Sequence, residues 1–171
     1  MRVAIIGNSG SGKSTLARQL STGYALTMLD LDTVAWEPGK IAVPRNPTDA
    51  AAELQAFCES TEHWVIEGCY AGLIRTALQY SPGLLFLEPG LETCLSNCRG
   101  RPWEPHKYRS GEEQNEKLEF LLTWVREYYS RQDDTSLVTH QALFDDYRGP
   151  KWKLNSQVEQ NLVDELVLNL L

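Results

Sequence analysis

The densest chemistry of the chain lies in the run Gly7-Asn8-Ser9-Gly10-Ser11-Gly12-Lys13-Ser14-Thr15. Gly7-x-x-x-x-Gly12-Lys13-Ser14 is the spacing of a phosphate-cradling loop. Glycines let consecutive backbone N–H groups turn inward around an anion. A helix beginning near Lys13 adds the positive end of its dipole. Lys13 supplies a full charge for β- and γ-phosphates. The Ser14 hydroxyl is a hard oxygen donor suited to magnesium. The run therefore points to a nucleoside triphosphate as ligand, and leaves the reaction open.

Acidic residues form the second constellation. Asp30 and Asp32 follow the apolar run Ala25–Leu29, and Glu67 closes the run Trp64-Val65-Ile66. An alcohol attacking phosphorus must lose its proton, and a nearby carboxylate can accept it. The same residues could instead cap a helix (Asp30, Asp32) or simply end a strand (Glu67). Arginines form a third set, because phosphoryl transfer depends on positioning and charge compensation. Arg99, Arg101 and Arg109 lie in or beside a polar segment broken by Pro102 and Pro105. Arg126 lies in the helical pattern beyond it, and Arg75 follows Glu67-Gly68. A solvated surface cation is the ordinary role of any one of them. Trp36 and Tyr70 could wall an acceptor or belong to the core. His106 sits in the polar segment with no partner in sequence, and His63 and His140 have still less to mark them.

The elements that must carry these residues alternate. Apolar runs Val3–Ile6, Ala25–Leu29, Trp64–Ile66, Leu84–Leu87 and Trp152–Leu154 read as strands. Helical patterns cover Ser14–Leu20, Thr48–Cys58 (with Thr48 as its cap), Ala71–Leu78, Leu91–Cys98, Glu112–Arg131 and Ser136–Tyr147. A capping box opens a terminal helix at Ser156. Alternating strands and helices predict an α/β fold with a mainly parallel sheet. In such sheets ligands bind beyond the carboxyl ends of the strands, where the loop and the acidic residues fall.

Composition sets the outer limits. The chain has 171 residues, a length for one domain, with 42% hydrophobic and 23% charged residues. Its net charge of −7 argues against a general nucleic-acid or anionic-membrane surface. Val3–Ile6 is too short for the core of a signal peptide. Cys58, Cys69, Cys94 and Cys98 make no C-x-x-C pair, and reduced thiols in a cytoplasmic protein are the simplest reading.

The sequence resembles the small P-loop kinases, the group holding nucleoside monophosphate kinases, shikimate kinase and gluconate kinase. It looks most like the adenylate-kinase-related branch labelled DNA topology modulation proteins. The resemblance covers most of the chain. It is carried by Gly7–Thr15, by Leu29-Asp30-Leu31-Asp32 with Trp36, by Trp64-Val65-Ile66-Glu67-Gly68-x-Tyr70, and by Leu85-Phe86-Leu87-Glu88-Pro89. It implies a five-stranded parallel sheet in order 2-3-1-4-5, with a lid over ATP at about residues 99–113. It also implies Asp30 near magnesium, Asp32 at the acceptor hydroxyl, and Glu67 linked to magnesium. Arg99, Arg101 and Arg126 are implied on the transferring phosphate. Arg75 could hold an anionic acceptor. Adenylate kinase carries Pro-Arg after its Asp-Gly-Phe, whereas this chain reads Glu67-Gly68-Cys69-Tyr70-Ala71-Gly72, so AMP is a poor match; the triple glycine of shikimate kinase is missing too. The expectation is a magnesium-dependent transfer of phosphate from ATP to a small acceptor, by a monomer or dimer. The alternative is a nucleotide-binding regulator or slow NTPase with a macromolecular partner.

Overall fold

The computed structural model describes residues 1–37, 43–104 and 108–156. The elements are β1 (Arg2–Gly7), α1 (Lys13–Tyr24), β2 (Thr27–Asp30), α2 (Asp32–Ala35), α3 (Pro47–Ser60), β3 (Trp64–Gly68) and α4 (Ala71–Leu78). They continue with β4 (Gly83–Leu87), α5 (Leu91–Gly100), α6 (Gly111–Glu116), α7 (Leu118–Glu127), α8 (Leu137–Asp146) and β5 (Lys151–Leu154). His106 and all but the first residue of the expected terminal helix lie outside the described residues.

The five strands form one parallel sheet in the order β2-β3-β1-β4-β5, as the resemblance implies. β3, β1 and β4 are the middle strands. Their runs are apolar throughout because both faces are covered. On one face Val3, Ile5, Val65, Leu85 and Leu87 pack against Leu16, Ala17 and Leu20 of α1. On the other, Ala4, Ile6, Trp64, Ile66, Leu84 and Phe86 meet Leu54 and Cys58 of α3, Ile74 and Ala77 of α4, and Leu143 of α8. Each fully buried Leu or Ile stabilises this arrangement by about 1.5–3 kcal/mol before entropy is counted. A third cluster, Cys94, Leu95, Cys98, Leu122 and Val125, joins α5 to α7 beside the sheet. Among the described residues no helix is long and apolar enough to cross a membrane.

Several boundaries differ from the sequence reading. α1 runs on to Tyr24 and ends at Ala25 in the left-handed region (φ 54), whose N–H reaches the Ser21 carbonyl; β2 therefore starts at Thr27 rather than Ala25. α3 is capped by Asn46, whose side chain accepts from the Thr48 N–H, with Pro47 in its first turn. The short α2 follows Asp30, where the sequence offered a helix only as the alternative reading of the acidic pair. The single helix expected over Glu112–Arg131 is two helices. They meet at Lys117 (φ −89, ψ −2), where the N–H swings toward the Asn115 and Glu113 carbonyls. The second ends at Glu127. Beyond it, the Arg131 guanidinium turns back to the Trp124 carbonyl (2.7 Å) and lies 3.8 Å from the Trp124 ring centre.

One buried polar link ties α8 to the sheet. His140, fully buried, hydrogen-bonds the Cys69 carbonyl through Nε2 (2.8 Å) and the Tyr128 hydroxyl through Nδ1 (2.9 Å). A carbonyl only accepts, so Nε2 carries the proton and Nδ1 takes the Tyr128 hydrogen. Burial pushes this imidazole down to about 4. The unfolded chain therefore binds a proton from about pH 6.5 downward while the native state resists it until about 4. Native stability contributed by neutral His140 is present above 6.5 and falls as pH drops through that window, by on the order of 3 kcal/mol. Thermal denaturation across pH 4–7 should show this slope in the native protein. His140→Gln should be less stable at neutral pH and flatter across the window; an unchanged slope would show that another group titrates there.

Candidate functional site

The loop after β1 turns sharply into α1, and Gly12 (φ 96) takes the left-handed conformation at the helix entrance. Gly10 (φ 77) is the crowded position: a Cβ there would collide with the Cys94 carbonyl oxygen and lie 2.8 Å from Cys98 Sγ. The loop is thus pressed onto α5, and Asn97 secures it by donating to the Gly10 carbonyl (2.8 Å). From the other side, buried Asn8 donates to the Val125 carbonyl at the end of α7 (3.0 Å) and accepts the Ser9 N–H (2.8 Å). Ser11 Oγ is buried without a hydrogen-bond partner. Lys13 is only 8% exposed, and its ammonium donates to the Asn8 carbonyl at 2.8 Å. A carbonyl does not cancel the charge, so the loop encloses a positive centre, as a triphosphate requires. Gly7 ends β1 beneath the loop, and Ser14 and Thr15 lie in the first turn of α1.

Glu67 lies next to this centre. The sheet register sets it beside Ile5 on β1 and beside Asp30 on β2. It shares the α1 side of the sheet with Val65, because alternate residues of a strand face the same way. Its carboxylate is 2% exposed. The Ser14 side chain lies close enough to lower its proton affinity, while Oε1 has no hydrogen-bond partner. Burial raises its proton affinity, Lys13 lowers it, and Asp30 and Asp32 raise it. A buried carboxylate oxygen with no protein donor, next to a hydroxyl at the base of a phosphate loop, fits a hard divalent cation that takes most of its ligands from phosphates and water. Ser14 and Glu67 are thus the residues that fit magnesium. Asp30 stands alongside them, its Oδ1 accepting the Asp32 N–H (2.9 Å). This bond closes a turn just before α2, whose N-cap is Leu31, and Asp30 keeps its place in the acidic group.

Asp32, Trp36 and Tyr70 form a corner on the β2 side. The Tyr70 hydroxyl donates to Asp32 Oδ1 at 2.6 Å. The two rings stand nearly perpendicular, their centres 6.2 Å apart. The arginines divide. Arg101 is mostly buried, paired with Glu104 at 3.0 Å and donating to the Tyr108 hydroxyl at 3.1 Å. Gln114 ties this segment down by accepting the Glu104 N–H and donating to the Pro102 carbonyl. Arg99, Arg109 and Arg126 are exposed, and none has a side-chain bond to the loop among the described residues. Arg75 is exposed on α4, close enough to Asp134 to lower its proton affinity. The arginine that turns inward beyond α7 is Arg131, which no periodicity singled out.

The supports around the site were also invisible in the sequence. The His140 bond to Cys69 fixes the turn between Glu67 and Tyr70. Asp134 clamps the first turn of α4, accepting the Gly72 N–H through Oδ1 (2.8 Å) and the Ala71 N–H through its carbonyl.

No protein-family model matches the sequence, and no curated protein does. Solved structures do. A shikimate kinase from Aquifex aeolicus is 17% identical, with a TM-score of 0.55 over 99% of this chain and 96% of that one. A gluconokinase from Sinorhizobium meliloti is 18% identical, with a TM-score of 0.54 over 99% and 90%. A deoxyadenosine kinase from M. mycoides, solved with bound dATP, is 15% identical, with a TM-score of 0.50 over 99% and 98%. The chain has the fold of the small P-loop kinases. Gly10 is the tightest point of the glycine loop. Gly10→Ala should lose ATP binding in titration calorimetry and more than ~2 kcal/mol of stability in denaturant, from the positive φ and the collision with α5. Binding at native affinity would show that the loop does not hold the nucleotide in this way.

Proposed function

We propose that this chain is an ATP-dependent phosphotransferase, which moves the γ-phosphate to a hydroxyl of a small acceptor with magnesium. The observation that carries the reading is Glu67: a buried carboxylate close to the loop serine and the Lys13 charge, and flanked by Asp30 and Asp32. A structural strand end would not need three carboxylates and a buried ammonium in one place.

The residues then take distinct roles. The N–H groups of Gly7–Thr15 and the Lys13 ammonium bind the triphosphate. Ser14 and Glu67, with Asp30 beside them, would hold magnesium, which on binding neutralises phosphate charge. Asp32 accepts the proton of the acceptor hydroxyl as its oxygen bonds to the γ-phosphorus and the bond to the ADP oxygen breaks. Tyr70 holds Asp32 in place, and Trp36 and Tyr70 form the acceptor wall. Arg101, with Arg99 at the end of α5 and Arg126 near the end of α7, compensates charge on the transferring phosphate. The four cysteines are buried thiols, which suits a reducing compartment such as the cytoplasm.

ATP consumption with magnesium, for the protein alone and with a set of hydroxyl-bearing acceptors, tests this, with Lys13→Ala as the blank. Stimulation by one acceptor well above the water reaction is expected. ATP binding with no stimulation by any acceptor would favour a regulatory or slow NTPase role. Asp32→Asn should keep ATP affinity and lower transfer by roughly 10²–10⁴-fold; unchanged transfer removes Asp32 from the chemistry. Glu67→Gln should weaken magnesium-dependent ATP binding while metal-free binding changes little. Equal loss in both conditions would assign Glu67 to folding alone.

A further inference from the structure

We propose that Gln114 and Glu104 are positioning residues for Arg101, presetting its guanidinium beside the phosphate loop for the terminal phosphate of a bound triphosphate. This deepens the phosphotransferase reading and rests on its placement of the triphosphate in that loop.

The geometry of α5 explains why Arg101 is the arginine to set. Cys94, Asn97 and Cys98 recur at helical spacing and face Gly10. A Cβ on Gly10 would meet the Cys94 carbonyl and Cys98 Sγ, and Asn97 donates to the Gly10 carbonyl at 2.8 Å. Arg101 follows at the same spacing, at the C-cap of the helix, where the chain turns extended (φ −69, ψ 141). Burial raises the proton affinity of the Cys98 thiol, and the Arg101 and Lys13 charges both lower it, so the two cations act on one atom beside Gly10. Arg99 falls off this stripe and is exposed.

The residues after Arg101 are tied down more firmly than a surface turn requires. Glu104 pairs with Arg101 Nη1 at 3.0 Å, and Arg101 Nη2 donates to the Tyr108 hydroxyl at 3.1 Å. The Tyr108 N–H donates to the Glu104 carbonyl (3.0 Å), and Trp103 Nε1 donates to the Tyr108 carbonyl (3.1 Å). Gln114 anchors the set. It is 6% exposed, accepts the Glu104 N–H through Oε1 (2.9 Å) and donates to the Pro102 carbonyl through Nε2 (3.2 Å). Both ends of one buried amide are spent on the backbone that carries Glu104. Burying an amide costs stability unless it is bonded in this way. An arginine oriented in advance loses less side-chain freedom when a phosphate arrives. A guanidinium has five N–H donors, and Arg101 Nε is buried with no hydrogen-bond partner among the described residues. Arg101 can therefore meet a phosphate while Glu104 still holds it.

Titration calorimetry of the full chain with magnesium, comparing ATP with ADP, tests the inference. ADP lacks the terminal phosphate and controls for an intact loop. The native protein should bind ATP more tightly than ADP. Arg101→Ala should lose about tenfold in ATP affinity with little change for ADP. Glu104→Ala and Gln114→Ala should each lose several-fold of the same preference, and neither should lower it further in the Arg101→Ala background. A preference kept by Glu104→Ala or by Gln114→Ala, or a loss that persists undiminished in the Arg101→Ala background, overturns the inference. Equal losses for ATP and ADP also overturn it and assign the pair to folding, and so does a native protein with no preference for ATP. Label transfer to acceptors is read separately: its absence removes the phosphotransferase reading, while an ATP preference that depends on Arg101, Glu104 and Gln114 as described upholds the inference. Binding of neither nucleotide overturns both.

Discussion

A buried ammonium and a buried carboxylate sit at the same end of one parallel sheet, and much of the surrounding structure serves to hold them there. Lys13 and Glu67 are both nearly inaccessible. Neither would remain charged in an apolar interior without compensation. Here the compensation is mutual and incomplete. Lys13 and Ser14 lower the proton affinity of Glu67, Lys13 donates to the Asn8 carbonyl, and Glu67 Oε1 remains unmatched. An arrangement of this kind costs stability in the free protein and suits a charged ligand that completes it.

The topology explains why these groups meet. With β1 between β3 and β4, the loop after β1 lies over the centre of the carboxyl edge, and the ends of β2 and β3 fall on one side of it. The loop is then pinned by neighbours distant in sequence: α5 through Gly10 and Asn97, and α7 through Asn8 and the Val125 carbonyl. The turn after β3 is pinned by His140 and Asp134. α5, which leads into the segment carrying Arg101, packs on α7 through Cys94, Leu95, Cys98, Leu122 and Val125.

The reading from sequence reached the parts whose signal is local. Glycine spacing marked the loop, apolar runs marked the strands, and polar residues ending those runs marked Asp30, Asp32 and Glu67. It failed where the deciding partner is far away or the local signal misleads. Ala25 gives no hint of a left-handed conformation. The apolar spacing through Leu118, Leu121, Leu122 and Val125 suggested one helix, although Lys117 interrupts it just upstream. Arg126 and Arg131 look alike on the page, yet only Arg131 finds carbonyls and a tryptophan ring. His140 had no visible partner because Cys69 lies 71 residues away.

The most direct test of the central claim is a crystal structure with magnesium and a non-hydrolysable ATP analogue. The account predicts the β- and γ-phosphates within the loop of Gly7–Thr15, Lys13 turned from the Asn8 carbonyl onto them, and the metal ion beside Ser14 and Glu67, directly or through water. A nucleotide bound away from this loop, or a metal ion seated without Ser14 and Glu67 nearby, would contradict it.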